Sequence, residues 1–460
     1  MLTCASWPAA PNSPRSAYGA ATDAVKRSIN LALSVRGQEA LAGVGLLDTV
    51  MRTSVVPMYG RVIHDVSGSL SFQPYGTKDQ HINSVARDTL TRLLLGELDK
   101  CSNVTTHFNR KLQSARRDGS VVFIEADDDG RDVRGGETVR LSSDLVIGAD
   151  GAFSRVREAM LRGSRVDFSR SFIKHSYKEF HIAPAAGGTG FRLEQPEGLH
   201  IWPRHEFMLI ALPNPDFTFT CTLFAPNSTF EELDAAVEAG RPGAVVSFFR
   251  ENFPDALDLI GEEEVASQYG ENPTGSLVTV RVRPWRLGRM LLIGDAAHAV
   301  VPFFGQGMNA AFEDALELNA SLDTAKDDVD AAIEDFTARR EPTGAGLADL
   351  SMENYEEMRS HTASPLFVIS KQIEAILHAV APAWWVPRYT MVSFTRTPYH
   401  EARDTAHRQE AALSLVGGAV AAVAAAGIAV GALALARDSA DGFRGVQSIV
   451  ASAKSAVGLQ

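Results

Sequence analysis

The sequence predicts an α/β fold in which a doubly wound, Rossmann-like sheet is interleaved with a second β-sheet domain and followed by C-terminal helices. The stretch DLVIGADG (Asp144 to Gly151) predicts a buried strand, a glycine turn and a helix with Ser154 in its first turn. MLLIGDAAHAV (Met290 to Val300) repeats this design, which is typical of an α/β sheet with ligands at the strand ends. The run from Leu199 to Phe224 contains two β-rich segments joined by a Pro/Asn/Asp turn, which predicts an antiparallel hairpin in the second sheet.

The beginning of the chain lacks an expected motif. Residues 1–26 are rich in Ala, Ser and Pro and contain no strand leading into G-x-G-x-x-G, which normally cradles a pyrophosphate in such folds. We therefore expect an atypical leader: a targeting peptide, a disordered segment or a mis-started chain. Its lack of an apolar run argues against a secretory signal. The first βαβ unit is predicted to be incomplete, and the absence of its central strand would leave two neighbouring strands with unpaired backbone groups.

Composition limits the classes of function. The 460 residues are 45% hydrophobic, which is enough for a large core and about three domains. Fifty-six acidic against 44 basic side chains give a net charge of -12, which would repel nucleic acid and favours small-molecule partners. Cys4, Cys101 and Cys221 are too few and too widely spaced for a disulfide framework or a metal site. We expect no metal and a reducing compartment.

A glycine-rich loop in residues 294–315, GDAAHAVVPFFGQGMNAAFEDA, carries the clearest chemical signal. Gly294 allows a close approach of the backbone to a ligand, and Asp295 offers a carboxylate to a sugar-alcohol hydroxyl. Gly305 and Gly307 leave backbone N–H groups free where the next helix begins, and such a helix end suits an electron-rich flavin ring. The loop therefore predicts half of a flavin site.

Seven stretches together resemble the aromatic-ring hydroxylating FAD-dependent monooxygenases. They are GADGAFSRVR, GDAAHAVVPFFGQGMNAAFED, RSINLALSVRG (Arg27 to Gly37), PYGTKDQ (Pro74 to Gln80), LHIWPR (Leu199 to Arg204), LSMENYEEMR (Leu350 to Arg359) and YTMVSFTRTPYHEA (Tyr389 to Ala402). The last five are similar to the members that act on L-kynurenine, and the likeness runs from about residue 27 to residue 407. The resemblance implies bound FAD, with NADPH and O2 as co-substrates, and hydroxylation of L-kynurenine to 3-hydroxykynurenine.

The resemblance also implies two groups of site residues. The cofactor group is Ala32, Arg87, Leu112, Asp150, Gly294, Asp295, Gly305, Gly307, Met308 and Asn309. In this group Arg87 is expected to face the pyrophosphate. Taken by themselves, Ala32 and Leu112 are equally compatible with core positions, and Arg87 with a surface charge on a helix.

The substrate group is Arg61, Tyr75, Asn354, Tyr389, Pro302 and Phe303. A guanidinium pairs with a carboxylate bidentately, and two phenols and an amide would complete a polar clamp around the amino-acid end of kynurenine. Pro302 and Phe303 are expected to form part of a dry wall, although ordinary packing explains them equally well. We expect no catalytic acid or base, because the ring amine of kynurenine already activates the neighbouring carbon. His298 is expected to be a structural hydrogen-bonding residue.

The domain prediction follows from these motifs. The predicted units are an atypical leader (1–26), an FAD-binding domain (27–165 and 276–341), a substrate-binding sheet domain (55–80 and 166–275), a helical segment closing the substrate site (342–407), and a membrane anchor with its tail (408–460).

The predicted anchor is a run of twenty-six residues, 411–436, that contains no ionisable side chain. As a helix it would span about 39 Å, against about 30 Å for the core of a bilayer. Because Ala and Gly dominate the run, a buried or loosely docked helix is the alternative. By resemblance to the eukaryotic enzymes, the anchor is expected to lie in the mitochondrial outer membrane with the active domain on the cytosolic side.

The missing glycine motif leaves alternatives open. One is a truncated, FAD-deficient and non-catalytic remnant of the fold, and another is a different aromatic-ring hydroxylase of the same family. The missing motif also predicts that the chain folds poorly or purifies without FAD and turns over kynurenine slowly, because the pyrophosphate and adenosine would lack their usual partners.

Overall fold

The computed structural model describes residues 2–4, 30–76, 79–127, 131–162, 164–360, 373–374, 376–378, 380–382 and 384–415. Its strands are β1 (Leu2–Cys4), β2 (Asn30–Leu33), β3 (Val55–Met58), β4 (Gly60–His64), β5 (Leu70–Pro74), β6 (Ile82–Ala86), β7 (Arg110–Ala115), β8 (Ser120–Glu125), β9 (Thr138–Ser142), β10 (Val146–Gly148), β11 (Asp167–Ile182), β12 (Gly198–Arg204), β13 (Phe207–Pro213), β14 (Phe219–Pro226), β15 (Gly275–Arg283), β16 (Arg286–Leu287) and β17 (Met290–Leu292).

The helices are α1 (Val35–Gly43), α2 (Leu47–Thr53), α3 (Arg87–Leu98), α4 (Arg155–Leu161), α5 (Asn227–Glu238), α6 (Gly243–Asn252), α7 (Pro254–Ile260), α8 (Glu262–Glu271), α9 (Asp295–His298), α10 (Gly307–Thr324), α11 (Val329–Ser360), α12 (Arg388–Phe394) and α13 (residues 399–415). A short 3-10 helix, Pro302–Phe304, lies between α9 and α10.

The two strand–loop–helix motifs pair with each other in one sheet. Its order is β1-β10-β17-β16, and β1, β10 and β17 run parallel. Ser154 caps α4 from the position before its first residue, accepting a hydrogen bond from Arg157 N at 2.9 Å. Ile147, Leu291 and other buried apolar residues form the core of this layer. The α/β class predicted from the sequence is confirmed.

The N-terminal residues correct one expectation. Leu2–Cys4 pair in parallel with Val146–Gly148, so a short strand from the start of the chain does join the sheet in which the first strand was expected to be absent. Three residues of backbone pairing need no particular side chains, which explains why the leader gave no recognisable strand signal. Residues 5–29, and with them most of the predicted leader, lie outside the described residues.

A seven-stranded sheet provides the second layer. Its order is β15-β11-β14-β13-β12-β4-β5, and it is antiparallel except where β12 pairs with β4. One face packs on α5, α6, α7 and α8 through the largest apolar core of the described chain. The predicted hairpin exists as β13 and β14, but the first of the two predicted runs is itself split by a turn at His205, whose φ is +55°. Because of this turn, the stretch forms three strands.

The predicted membrane span is not supported. Within the described parts of the chain, no helix is both long enough and apolar enough to cross a bilayer. Of the predicted segment, residues 411–415 continue α13, and residues 416–436 lie outside the described residues.

Candidate functional site

The glycine loop between β17 and α10 is held at both ends. Gly294 has φ +57°, and its N–H donates to Oδ2 of Asp314 on α10 at 2.9 Å. Gly305 has φ +64°, and a Cβ built on it would lie 3.1 Å from the Cβ of Ala32 on β2. Both glycines therefore adopt a backbone conformation that other residues rarely tolerate.

Asn309 joins this loop to β2. Its Nδ2 donates to Ala32 O at 2.7 Å and to Gly305 O at 3.0 Å, and its Oδ1 accepts from Ser34 N at 2.9 Å. The side chain is fully buried. The structure thus brings Ala32, Gly305 and Asn309, which lie far apart in the sequence, to one place, with Met308 packed against the neighbouring core.

The start of α10 has the chemistry of a site for the flavin ring and ribityl chain. No side chain caps the helix, which begins at Gly307, so its first N–H groups and its positive dipole end are available. Oδ1 of the exposed Asp295 lies 4.0 Å from a Cβ built on Gly307. A carboxylate that can accept a hydrogen bond from a ligand hydroxyl therefore lies beside the first N–H groups of α10. The amide Nε2 of Gln306 is buried and has no hydrogen-bond partner among the described residues. These groups fit FAD, and sequence reasoning missed Gln306 although it lies inside the glycine motif.

Three predicted cofactor residues lie in other surroundings. Asp150 caps α4, where its Oδ2 accepts from Arg155 N at 2.6 Å and Val156 N at 3.2 Å. Leu112 is buried in the core beneath β10 and β17. Arg87 is exposed at the first position of α3. Burial raises the pKa of Glu179, and the charge of Arg87 offsets part of this rise. In the described part of the chain, these three residues lie outside the group formed by Ala32, Gly305 and Asn309.

Arg61 on β4, Tyr75 just after β5 and Tyr389 on α12 come together. The guanidinium carbon of Arg61 on β4 lies 4.9 Å from the ring centre of Tyr389 on α12 and 5.8 Å from that of Tyr75. The two phenol rings stack with centres 5.1 Å apart and an angle of 17° between their planes. The guanidinium of Arg61 therefore lies beside both phenol rings.

The charge state of this clamp suits an anion. Burial raises the pKa of both Tyr75 and Tyr389, so both phenols are neutral donors at neutral pH. The charge of Glu357 on α11 also acts on Arg61, more weakly than the phenols do. Glu357 was missed from the sequence, although it stands one helical turn after Asn354. A cation flanked by two hydroxyl donors is suited to binding a carboxylate.

Asn354 holds the loop of the 3-10 helix. Its Nδ2 donates to Phe303 O at 2.9 Å. The ring of Phe303 lies 5.3 Å from that of Phe224 on β14, whereas Pro302 is exposed. Phe304 turns the other way, and its ring is parallel to that of Tyr389 with centres 6.3 Å apart. The loop thus connects the clamp with the glycine site.

An apolar surface of the seven-stranded sheet runs between the clamp and Phe303. Ile210 on β13 packs both with the group that contains Tyr75 and Tyr389 and with the group that contains Phe303. Other sheet residues in these two groups include Leu199, Met208, Leu212 and Phe224. The alternation of residues 208, 210 and 212 along one strand was the sequence signal that could have found them. The surface can accept a flat aromatic ring whose charged end reaches Arg61.

His298 is built into a buried network beneath the glycine loop. Its Nε2 lies 2.6 Å from Oδ2 of Asp314. Arg340 donates to the other carboxylate oxygen of Asp314 at 2.9 Å, and interactions with His298 and Arg340 outweigh burial and lower the pKa of Asp314 to about 2. The contact fits the structural role expected for His298.

Comparison with a family of known domains supports the cofactor chemistry. A family model described as an FAD binding domain matches residues 22–177 and 234–351. The chain also has the fold of a solved 2-methyl-3-hydroxypyridine-5-carboxylic acid oxygenase, with TM-score 0.56 and 22% identity over 76% of this chain and 85% of that one. A tetracycline destructase, Tet(55), is similar in fold with TM-score 0.53 and 16% identity, over 77% of this chain and 87% of that one.

Curated relatives are closer in sequence. Kynurenine 3-monooxygenase of Sus scrofa is 42% identical over 378 residues, which are 82% of this chain and 76% of the relative. The enzyme of that name from Salinispora tropica is 42% identical over 416 residues, covering 89% and 87% of the two chains. The one from Anopheles gambiae is 40% identical over 409 residues, covering 88% and 81%.

Proposed function

The chain belongs to the FAD-dependent kynurenine 3-monooxygenase family, and we propose that it hydroxylates L-kynurenine to 3-hydroxykynurenine with NADPH and O2 as co-substrates. In the balanced reaction, kynurenine, NADPH, O2 and a proton give 3-hydroxykynurenine, NADP+ and water. The relatives named above include animal and bacterial proteins, so the proposal does not depend on one lineage.

The clamp of Arg61, Tyr75 and Tyr389 is the observation that carries the substrate assignment. L-Kynurenine has a carboxylate at one end and a flat aromatic amine at the other. The carboxylate matches the guanidinium and the two hydroxyl donors. The ring matches the apolar surface between Ile210 and Phe303, which lies beside the loop assigned to the flavin.

The protein's own contribution is to bind and orient the ring and to exclude water. Bound FAD supplies the oxygen-activating chemistry, with electrons from NADPH. The ring amine of kynurenine makes the adjacent carbon electron-rich, so no side chain needs to act as general base on the ring. Arg61 fixes one end of the substrate, while Phe303 and Ile210 limit the freedom of the other end. Asp295, the start of α10 and Gln306 would hold the ring and ribityl end of FAD.

Two measurements test the proposal. The first is the flavin absorbance of purified protein, which distinguishes an FAD enzyme from a non-catalytic remnant. The second is identification of the product formed from L-kynurenine by chromatography with mass detection. Stoichiometric FAD with 3-hydroxykynurenine as product supports the proposal. Flavin-loaded protein that leaves kynurenine unchanged but hydroxylates another aromatic acid would assign it to a different hydroxylase of the family.

We further propose that residues 411–436 attach the protein to a membrane, which in a eukaryotic cell would be the mitochondrial outer membrane, with the active domain on the cytosolic side. The support is the uncharged run in the sequence. A chain ending after Leu415 keeps the described part of α13, so it is the suitable truncation. The full chain is expected in the membrane pellet and the truncated chain in the supernatant. Full-length protein that stays in the supernatant would exclude the anchor.

A further inference from the structure

A buried hydrogen bond links the helix that carries Asn354 to the seven-stranded sheet, in addition to the partly buried contacts of α11 with Arg281 and Thr279 on β15. Oη of Tyr355 on α11 lies 2.8 Å from Nδ1 of His175 on β11, across 180 positions of sequence. Each residue is only 8% exposed. Neither residue belongs to the clamp or to the glycine loop, and the sequence resemblance gave neither of them a role.

The surroundings of His175 fix the direction of this bond. His175 stands where the register of β11 against β15 shifts, between Phe172 and Ser176. Its Nε2 lies 3.1 Å from the carbonyl oxygen of Glu206, in the turn between β12 and β13. A carbonyl oxygen can only accept, so Nε2 carries a hydrogen, and in a neutral imidazole Nδ1 is then the acceptor. With that tautomer the hydroxyl of Tyr355 donates to His175.

Tyr355 and its neighbour Asn354 both hold the same loop residue. The ring of Tyr355 lies with its centre 5.0 Å from that of Phe303, and Asn354 Nδ2 donates to Phe303 O at 2.9 Å. The ring of Phe303 in turn lies against Phe224 of the sheet. A small rotation or shift of α11 would therefore move both the backbone and the ring of Phe303.

We infer that Tyr355 and His175 form a positioning pair that fixes α11 on the sheet and thereby sets Phe303 against the ring of the bound substrate. The inference rests on the proposed function, because it assumes that the apolar surface beside Phe303 receives kynurenine. Without the bond, the wall would loosen, water would enter and the substrate ring would be less well placed. NADPH oxidation would then continue while less of it leads to hydroxylation.

The first test is Tyr355→Phe, which keeps the ring beside Phe303 and removes only the hydroxyl. We expect a rise of roughly 3- to 10-fold in the KM for kynurenine and more hydrogen peroxide released per NADPH oxidised. FAD content should stay the same. The matched control is Tyr269→Phe, which removes another buried hydroxyl, bonded to Asp234 Oδ1 at 2.7 Å on the opposite face of the same sheet. This control should change thermal stability but neither the KM nor the peroxide yield.

Substitution at His175 tests the pair from the other side. His175→Asn offers an amide oxygen close to the position of Nδ1 and should restore most of the coupling that His175→Ala loses. If Tyr355→Phe does not accumulate in folded form, the two His175 variants test the inference by themselves: higher coupling in His175→Asn than in His175→Ala supports it, and equal coupling overturns it. Unchanged KM and peroxide yield in Tyr355→Phe, or equal effects from the Tyr269 control, would overturn the inference. If the unaltered protein does not hydroxylate kynurenine, the proposed function fails first and the inference falls with it.

Discussion

Removal of the Arg61 guanidinium is the most direct perturbation of the proposed substrate clamp. In Arg61→Ala the carboxylate of kynurenine would keep the two phenol hydroxyls but lose its only cationic partner in the clamp. Breaking a buried hydrogen-bonded charge pair typically costs about 2–5 kcal/mol. The Arg61 side chain is only partly buried, and Tyr75 and Tyr389 remain as donors, so we expect the lower part of that range.

A loss of about 2–3 kcal/mol corresponds to a rise of roughly 30- to 150-fold in the KM for kynurenine. Because the carboxylate is remote from the ring carbon that reacts, most of the effect should appear in KM rather than in kcat. The assay is NADPH consumption together with product formation, over a range of kynurenine concentrations, on protein whose FAD content has been measured. Arg61→Lys keeps the charge but not the planar fork and should give an intermediate KM.

The control is Arg92→Ala on α3, which removes an arginine of the i,i+4 surface pair with Asp88. It should leave the KM within experimental error, because such pairs contribute little. An Arg61→Ala protein with full FAD content and an unchanged KM would refute the clamp and the reasoning that assigns the carboxylate to Arg61.

Three further predictions concern other parts of the site. Tyr389→Phe should raise the KM for kynurenine roughly 2- to 13-fold without loss of FAD, because it removes one hydrogen bond from the clamp. Steady-state kinetics measure the KM, and an unchanged value would count against a contact between the Tyr389 hydroxyl and the substrate carboxylate. Asp295→Ala should weaken FAD binding roughly 10- to 150-fold, which is the range for one charge-assisted hydrogen bond. The affinity is measured by titrating apoprotein with FAD and following flavin fluorescence, and an unchanged affinity would remove Asp295 from the site. Burial, opposed by the charge of Arg87, raises the pKa of Glu179 to about 7 from 4.5, so folding stability should fall as pH rises between these values, where only the unfolded carboxyl has lost its proton. Glu179→Gln should remove this pH dependence. The change in folding free energy involved is at most about 3 kcal/mol, and solvent screening makes it smaller. Melting temperatures that vary with pH in the same way in both proteins would contradict the raised pKa of Glu179.

Local sequence signals located the elements that bear the site. The two strand–loop–helix motifs are local because an apolar run, a glycine turn and a capping serine are neighbours in the chain. Gly294 and Gly305 fall at turns with positive φ, as their residue type suggested. The hairpin turn between β13 and β14 was also visible, while the extra turn at His205 was not, because any residue other than glycine is uncommon at positive φ.

Residue types alone could not separate a ligand contact from a structural contact. Leu112 packs in the core with β10 and Asp150 caps α4, while the contact of each with FAD stays a prediction. Asn354 bonds to the backbone of Phe303. A leucine in a strand or an aspartate before a helix has the same local pattern in both roles. The difference depends on what packs against the side chain.

The sequence by itself determined the α/β class, the glycine loop and, through resemblance, the chemistry expected of FAD and kynurenine. Only the tertiary structure decided that Arg61, Tyr75 and Tyr389 meet, and that Ile210 links them to Phe303. It alone also revealed the bond between Tyr355 and His175. Elements form from short-range preferences of the backbone and from the spacing of apolar residues. Contacts between residues more than a hundred positions apart arise only when whole elements pack, because packing depends on the shapes of all the buried side chains together.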